Sequence, residues 1–385
     1  MSQDLVKQEI HWIETNAQLE RVCDVWQDEK LLAIDTEFMR SQTYYPIPGL
    51  IQVNDGKSNY LIDPTKIDDF FPLTDIFEND SILKVLHSCS EDLEVFHHGF
   101  ACLPKSLLDT QLAAALSGYA FSLGFANLVR EVLDVDLPKG ETRSDWLQRP
   151  LSVAQVQYAA MDVEYLYAVA IKLISQLTEH GRLEWAMEDS KALITHYYEN
   201  QNCDNSYLRF KSAWKLSSRQ LAVLQTLCRW REDKAQDKNL PRNRIIKEPA
   251  LMTIAQRNIT TLDKLRHVEG VSERMVRENG VQLMQLVAKA NDLPAEKLPP
   301  KLPKPLSAAE RELLQSLKDK VSQIAGQLNV PVESLVKKKD YEQLINSAKQ
   351  GQMIPPVHFD GWRKDVVASE LEKLVTAHYS AGTTD

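Results

Sequence analysis

Short apolar runs in the first third of the chain limit what it can fold into. Residues 31–38 (LLAIDTEF), 50–53 (LIQV), 60–62 (YLI) and 82–86 (ILKVL) are separated by turn-forming residues, which is typical of neighbouring β-strands. Beyond them, apolar residues recur every three or four positions, and Ser152 is a suitable N-cap for a long helix. This pattern predicts an α/β domain at the start of the chain.

Two helical segments are expected to follow that domain. Residues 199–211 are polar and lack periodicity, so they indicate a domain boundary. Residues 211–291 and 305–380 share a layout of one long amphipathic segment, a proline break and shorter helices, which suggests a tandem repeat. Five prolines in residues 292–305 predict a stiff linker that separates the last unit from the rest of the chain. The expected domains are therefore 1–205, 211–291 and 305–380.

Charge is unevenly distributed along the 385 residues, whose formal net charge is −9. Residues 1–210 hold 16 Lys and Arg against 33 Asp and Glu, residues 211–291 hold 16 against 8, and residues 292–385 hold 13 against 13. An acidic first half suits the binding of cations, and a basic segment suits the binding of phosphates. Ordinary variation between solvated surfaces is the alternative explanation.

Composition excludes several classes of protein. With 43% hydrophobic and 26% charged residues, the chain resembles soluble globular proteins and not disordered ones. Its five cysteines are far apart and form no C-x-x-C pair, so neither a disulfide framework nor a zinc site is indicated. The first residues contain no apolar run that would suit a signal peptide or a membrane span. We expect a cytoplasmic monomer with no membrane association and no obligate protein partner.

The run at residues 31–38 ends in two acids separated by one residue. Because side chains alternate along a strand, Asp35 and Glu37 are expected to project from the same face. Two close carboxylates repel unless a cation lies between them, and hard cations such as Mg²⁺ or Mn²⁺ prefer oxygen ligands. The pair alone is a weak signal, since most such acids lie at solvated strand ends.

Two further patterns could supply acids to the same site. Tyr158 and Asp162 are four residues apart in a helical run, so they share one helix face. In residues 87–96 (HSCSEDLEVF), Ser90 is a candidate cap for a helix beginning at Glu91, which places Asp92 in the first turn. Each pattern alone is explained as well by an ordinary tyrosine, a turn acid or a helix cap.

Taken together, the order D-x-E, mid-domain Asp and Tyr-x-x-x-Asp resembles the three motifs of the DEDD exonuclease superfamily. Gln157 stands where the superfamily's histidine branch has His, whereas Tyr158 stands at the position of the tyrosine branch. The sequence around these motifs is similar to that of the ribonuclease D family, almost continuously over residues 30–170. The similar segments are IDTEF, TYYP, LIQV, HSCSEDLEVF, DTQLAA, and GETRSDWLQRPLS before QYAAMDVEYL. The resemblance implies a ribonuclease H-like domain with a mixed sheet flanked by helices.

That resemblance also implies two-metal phosphodiester hydrolysis. One ion would be bound by Asp35, Glu37 and Asp162, with Tyr158 orienting the attacking water, and a second would lie between Asp35 and Asp92. Stepwise release of nucleoside 5′-monophosphates from an RNA 3′ end is the implied reaction. Precursors of tRNA are the implied substrates.

The two C-terminal segments resemble HRDC domains, residues 213–290 more closely than 306–380. Such domains bind nucleic acid or protein partners, and the first contains a dense run of candidate phosphate contacts: Arg229, Arg231, Lys234, Lys238, Arg242, Arg244 and Lys247. Phe38 and Met39, directly after the acids, are candidates to pack against the terminal nucleotide. They are equally compatible with a place in the core.

Two other functions stay open from the sequence. A DNA 3′-5′ exonuclease of the proofreading or repair kind has a similar catalytic core, although the DTQLAA and SDWLQRPLS wording favours RNA. A noncatalytic RNA-binding platform is the second alternative, and the intact carboxylates argue against it.

Overall fold

The computed structural model describes residues 7–138, 140–141 and 144–381 of the chain. It divides into two compact units. The first contains residues up to 39, residues 47–195 and the segment from 306 onward, and the second contains residues 40–46 and 196–305. The residues of one helical segment therefore cluster with the α/β part of the chain.

Six strands form one sheet: β1 (Glu9–Ile13), β2 (Leu31–Met39), β3 (Ile47–Asn54), β4 (Ser58–Ile62), β5 (Leu83–Leu86) and β6 (Leu107–Asp109). Their order across the sheet is β1-β4-β3-β2-β5-β6. Strands β2, β3 and β4 pair antiparallel, whereas the pairs β1–β4, β2–β5 and β5–β6 are parallel. The sheet is therefore mixed, as the resemblance implied, and β2 lies inside it.

The helices of the α/β part begin with α1 (Asn16–Trp26) and continue with α2 (Phe71–Glu78), α3 (Ser90–Phe100), α4 (Thr110–Leu116), α5 (Phe125–Leu133), α6 (Val153–Glu179) and α7 (Leu183–Asn200). Ser152 caps α6 as expected, because its hydroxyl accepts a hydrogen bond from the Gln155 amide at 3.2 Å. The Gln155 side chain accepts one from the Ser152 amide at 3.0 Å, which completes a capping box.

The predicted start of α3 is wrong. The helix begins at Ser90, its N-cap is Cys89, and no side chain of the N-cap residue makes a capping hydrogen bond. Ser88 just before it has a φ of +55°, a left-handed conformation that turns the chain into the helix. Asp109, which is distant in sequence, accepts hydrogen bonds from the amides of Ser88 and Cys89 and so fixes this turn.

The second unit is helical and contains a short segment from the α/β half of the sequence. Its helices are α8 (Ser218–Asp237), α9 (Arg242–Ile245), α10 (Glu248–Arg257), α11 (Leu262–Arg266) and α12 (Glu273–Asn291). Leu221, Leu224 and Leu227 are fully buried in its core. Tyr44, from residues 40–46, joins that core and bonds through its hydroxyl to Glu232 at 3.1 Å.

The last helical segment has its own core, but the proline-rich linker does not separate it from α7. Its helices are α13 (Ala308–Leu328), α14 (Val332–Leu335), α15 (Lys338–Lys349) and α16 (Ser369–Ala381). Arg363 donates to Asp189 of α7 at 2.7 Å, and Trp362 stacks on Trp185 with ring centroids 4.3 Å apart. These contacts hold the segment against α7, so the expectation of a separated third unit is wrong.

Two expectations about the class of protein can be compared with this structure. The five cysteines are free, and four of them are buried. Among the described residues, none of the helices combines the length and the apolar character that crossing a membrane requires.

Candidate active site

Three carboxylates converge on one face of the sheet. Asp35 and Glu37 alternate with Thr36 along β2 and so project from the same side, toward α6, which carries Asp162. Carboxylate oxygens of Asp35, Glu37 and Asp162 all lie within 4.8 Å of one another. A buried central strand and a long capped helix thus hold three like charges close together.

Burial and mutual repulsion disfavour the charged forms of these acids. Burial, followed by the charge of Asp162, raises the pKa of Asp35 to about 7. Burial, followed by the charges of Asp35, Asp162 and Asp92, raises the pKa of Glu37 to about 10. None of the ion pairs among the described residues includes Asp35, Glu37 or Asp162. The described chain therefore leaves this negative charge without a cation of its own.

Tyr158 lies beside the cluster, one helical turn before Asp162. Its hydroxyl hydrogen-bonds the Asp162 carboxyl group, and this bond opposes the effect of burial, which raises the pKa of Asp162 to about 7. The ring packs with Leu50, Trp146 and Ala159. Burial and the nearby carboxylates raise the pKa of Tyr158 above its usual range, so the phenol keeps its proton and can donate a hydrogen bond.

Asp92 is close to these groups but is not part of the cluster of three. It is 7% exposed in the first turn of α3, and it accepts a hydrogen bond from the Thr36 hydroxyl. Burial, followed by the charge of Asp35, raises the pKa of Asp92 to about 8, whereas the Thr36 bond lowers it. Thr36, which no sequence pattern singled out, thus connects Asp92 to the strand that carries Asp35 and Glu37.

Asp109 fixes the turn that leads into α3. Its carboxylate, in a side chain that is 2% exposed, accepts hydrogen bonds from the amides of Ser88 at 3.2 Å, Cys89 at 2.9 Å and Gln111 at 2.8 Å. One residue therefore caps α4 and replaces the cap that α3 lacks. Asp109 is the first residue of the DTQLAA segment, but its distance along the chain from Asp92 gives no sign that it positions Asp92.

We expect Asp109→Ala to destabilise the fold by about 3 kcal/mol, since buried amides would lose their acceptor. If Asp109 positions Asp92, the variant also needs a higher Mg²⁺ concentration for half-maximal nuclease activity when assayed below its melting temperature. Asp109→Asn keeps one carbonyl acceptor and should recover part of both effects. An unchanged Mg²⁺ requirement in a destabilised Asp109→Ala protein would reduce the residue to a purely structural role.

The carboxylate oxygens of this cluster suit the binding of a divalent cation. Carboxylate oxygens are the ligands that Mg²⁺ and Mn²⁺ prefer, and cations would relieve the repulsion that raises the pKa values. Gln52 lies directly opposite Asp35 on β3 and shares its face of the sheet. Its amide is fully buried, and neither its oxygen nor its nitrogen has a hydrogen-bond partner within the described structure. A hydrated ion beside Asp35 would bring water to satisfy such groups.

The basic residues expected to contact phosphates differ in their surroundings. Arg231 is 3% exposed, and its guanidinium lies over the Phe210 ring at 5.8 Å, a buried position that does not suit a phosphate contact. The structure is thus at odds with the expectation for Arg231. Arg242 pairs with Glu232 at 2.7 Å and lies over the Tyr44 ring, and Arg229 pairs with Asp204 at 2.5 Å.

The other expected RNA contacts are accessible. In the second unit, Lys234 is half-buried, and Lys238, Arg244 and Lys247 are exposed. Arg244 also donates a hydrogen bond to Gln42. Phe38 and Met39 are half-buried at the end of β2, just past a shift in the β2–β3 register between Glu37 and Phe38. That shift re-aims the strand beyond the acids.

Comparisons with known proteins agree with this geometry. Residues 10–178 match a family described as 3′-5′ exonuclease, and residues 220–287 match the HRDC domain family. Ribonuclease D of Pseudomonas paraeruginosa is 42% identical over 364 residues, which cover 94% of this chain and 96% of that protein. Ribonuclease D of Escherichia coli is 36% identical over 367 residues, or 94% of this chain and 97% of that protein.

A solved structure extends the likeness to the whole fold. The crystal structure of Escherichia coli RNase D, described as an exoribonuclease involved in structured RNA processing, superimposes with a TM-score of 0.88 at 35% identity. The match covers 96% of this chain and 99% of that one, so it includes the helical segments as well as the exonuclease part. The resemblance read from the motifs is confirmed, and this chain belongs to the ribonuclease D family of 3′-to-5′ exoribonucleases.

Proposed function

We propose that this enzyme removes nucleoside 5′-monophosphates one at a time from RNA 3′ ends by two-metal-ion hydrolysis. The observation that carries the proposal is the convergence of Asp35, Glu37 and Asp162 within 4.8 Å at a face without a cation of its own among the described residues. These three would hold one Mg²⁺ or Mn²⁺. Asp92 would share a second ion with Asp35, whose charge is the largest electrostatic influence on Asp92 after burial.

The bound ions would lower the pKa of the attacking water and would partly neutralise the negative charge of the scissile phosphate. The protein side chains orient the reactants. Tyr158 keeps its proton and is fixed by packing against Trp146 and Ala159. With an ion on the Asp162 carboxylate, the hydroxyl that bonds Asp162 in this structure would turn to the attacking water and align it. Phe38 and Met39, at the end of β2, would pack against the terminal nucleotide, a contact that tolerates any base.

If the Tyr158 hydroxyl aligns the attacking water, its removal should slow the reaction without lowering the stability of the fold. Tyr158→Phe should lower kcat by about a hundredfold through loss of the aligning hydrogen bond, with the KM for RNA changed little. Its melting temperature should stay close to that of the wild type, because the ring and its packing remain. A wild-type kcat in Tyr158→Phe would rule out this role for the hydroxyl.

Structured RNA, with the 3′ trailers of tRNA precursors as the foremost example, is the substrate class that we propose. The Escherichia coli relative, described as acting in structured RNA processing, supports this assignment, as does the basic segment at 211–291. We further propose three domains near 1–205, 211–291 and 305–380, and a cytoplasmic monomer with no obligate protein partner. Size-exclusion chromatography with light scattering would test the monomer.

Matched RNA and DNA strands test the substrate assignment. A tRNA precursor with a short 3′ trailer and its DNA counterpart would each be labelled at the 5′ end and incubated with enzyme and Mg²⁺. We expect stepwise shortening of the RNA, a much slower reaction on DNA, and no reaction when the 3′ end is blocked by a phosphate. Faster DNA degradation would favour the proofreading or repair alternative, and loss of neither strand would favour the noncatalytic platform.

A further inference from the structure

Gln52 is a buried polar side chain that makes no hydrogen bonds with the described residues. It belongs to β3, it is 0% exposed, and neither its amide oxygen nor its amide nitrogen has a partner in the part of the chain that the structure describes. A buried amide without a partner destabilises a fold, and almost all buried polar side chains in proteins are paired. An apolar side chain would avoid this penalty, so the amide at this position points to a function.

The register of the sheet places Gln52 beside the catalytic carboxylates. Gln52 pairs with Asp35 of β2 on one side and with Leu61 of β4 on the other, and both pairings are antiparallel. Residues that lie directly opposite one another project from the same face, with Cβ atoms about 4.5–5.5 Å apart. The Gln52 carboxamide therefore lies on the face that carries Asp35 and Glu37, within reach of the Asp35 carboxylate.

On the side away from Asp35, Gln52 borders an apolar cluster. Leu61 packs there with Ala159 of α6, together with Leu50 and Trp146. Helix α6 packs against β2, β3 and β4, so it covers this face of the sheet and keeps bulk water from it. The polar surroundings of the carboxamide thus lie on the side of Asp35.

Asn54, two residues further along β3 on the same face, shows what a structural amide looks like in this sheet. Its nitrogen donates to the side-chain oxygen of Asn59 at 2.7 Å, and its oxygen accepts from the Gly56 amide at 2.8 Å. Asn54 is as deeply buried as Gln52, yet both ends of its carboxamide are paired. The lack of partners at Gln52 is therefore not a general property of amides on β3.

We propose that Gln52 is a positioning residue of the metal site, whose amide nitrogen donates to the Asp35 carboxylate and whose oxygen accepts from water beside the ion. This inference rests on the proposed function, in which Asp35 is the ligand that both ions share. A carboxylate offers about four acceptor sites, so Asp35 can bind two ions and still accept a hydrogen bond. Hydrogen-bond partners of metal ligands fix the orientation of those ligands, and their loss typically weakens metal binding by about 10–100-fold.

A neutral carboxamide suits this position better than a charged group. A further acid would add to the repulsion among Asp35, Glu37 and Asp162, whose oxygens already lie within 4.8 Å of one another. A lysine or arginine would pair with Asp35 and compete with the ions for it. Glutamine holds the carboxylate in place and leaves the negative charge that binds the ions unchanged.

This role predicts an unusual pair of effects in Gln52→Met, which has a similar side-chain length and no strong hydrogen-bonding group. Without divalent metal, the melting temperature of the full-length protein should rise by about 2–4 °C, because a buried amide without a partner has been removed. The Kd for Mn²⁺, measured from the electron paramagnetic resonance signal of the free ion, should rise about tenfold. Gln52→Leu carries the same expectations if Gln52→Met does not fold.

Tyr341→Phe is the matched control, because it also removes a buried polar atom that has no partner among the described residues. Tyr341 is 3% exposed and lies in the core of the last helical segment. Its variant should keep the Mn²⁺ Kd within about twofold of wild type, with an unchanged or higher melting temperature. A wild-type Mn²⁺ Kd in Gln52→Met would overturn the proposal. A metal-free melting temperature below that of the wild type in the Gln52 variants would make the residue purely structural and would overturn it as well.

The metal requirement of RNA trimming separates this inference from the proposed function. Gln52→Met should need about ten times more Mg²⁺ than the wild type for half-maximal trimming of a 5′-labelled RNA, whereas kcat at saturating Mg²⁺ should fall by less than this factor. If the wild-type protein neither binds Mn²⁺ nor trims RNA, the proposed function fails. If it does both, and Gln52→Met needs no more metal than Tyr341→Phe, only the role of Gln52 is contradicted.

Discussion

Asp162→Asn is expected to lower the kcat for RNA trimming by about a thousandfold. Asn offers a neutral amide where Asp162 offers an anionic oxygen within 4.8 Å of Asp35 and Glu37. A bound divalent ion stabilises charge in the transition state by several kcal/mol, and about 4 kcal/mol corresponds to a factor of about a thousand. Single-turnover trimming of a 5′-labelled RNA measures this loss without interference from product release.

The stability of the same variant distinguishes a lost ligand from a damaged fold. Asp162 is buried among like charges, so its replacement by Asn should leave the melting temperature of the metal-free protein unchanged or higher. Asp136→Asn, which changes an exposed acid outside the cluster, is the matched control and should trim RNA at the wild-type rate. Near-normal trimming by Asp162→Asn would show that this carboxylate holds no catalytic ion.

Removal of divalent metal is expected to abolish trimming and to make stability depend on pH. In the metal-free fold the pKa values of Asp35 and Asp92 are raised to about 7 and about 8, above the value of 3.8 for an ordinary aspartate. The folded state therefore holds protons that the unfolded chain releases. By linkage, the stability is highest below the unfolded pKa and falls as the pH rises through the folded values.

The melting temperature of the EDTA-treated protein should accordingly fall between about pH 4 and about pH 9. Saturating Mg²⁺ should raise it by a few degrees at the upper end of this range and by less at the lower end, because protons and metal compete for the same oxygens. Asp162→Asn should show a smaller response to Mg²⁺. A wild-type melting temperature that is indifferent to Mg²⁺ at every pH would contradict the metal site.

Local patterns were sufficient to locate most of the catalytic strand and helix. The alternation in β2 put Asp35 and Glu37 on one face, and the Ser152 cap with helical spacing put Tyr158 and Asp162 on one face of α6. Both rules act over a few residues, so they need no knowledge of the fold. That these two faces meet depends on the packing of α6 against β2, and only the resemblance implied that all of these acids bind at one site.

Long-range contacts explain what sequence patterns missed. The turn before α3 depends on Asp109, about twenty residues later, so the expectation of a Ser90 cap was wrong. Arg231 stands in a basic run, yet its place on α8 turns it into the core beside Phe210. The last helical segment follows a proline-rich stretch, but Trp185 and Asp189 on α7 provide partners for Trp362 and Arg363. The local density of charge and the proline content of a segment do not predict which distant residues it will contact.

Anomalous diffraction from crystals of the protein soaked in Mn²⁺ would locate the bound ions directly. We expect one peak among Asp35, Glu37 and Asp162 and a second between Asp35 and Asp92, with both weakened or lost in Asp162→Asn crystals. Ordered Mn²⁺ at other surface acids, with no peak at these four carboxylates, would contradict this expectation.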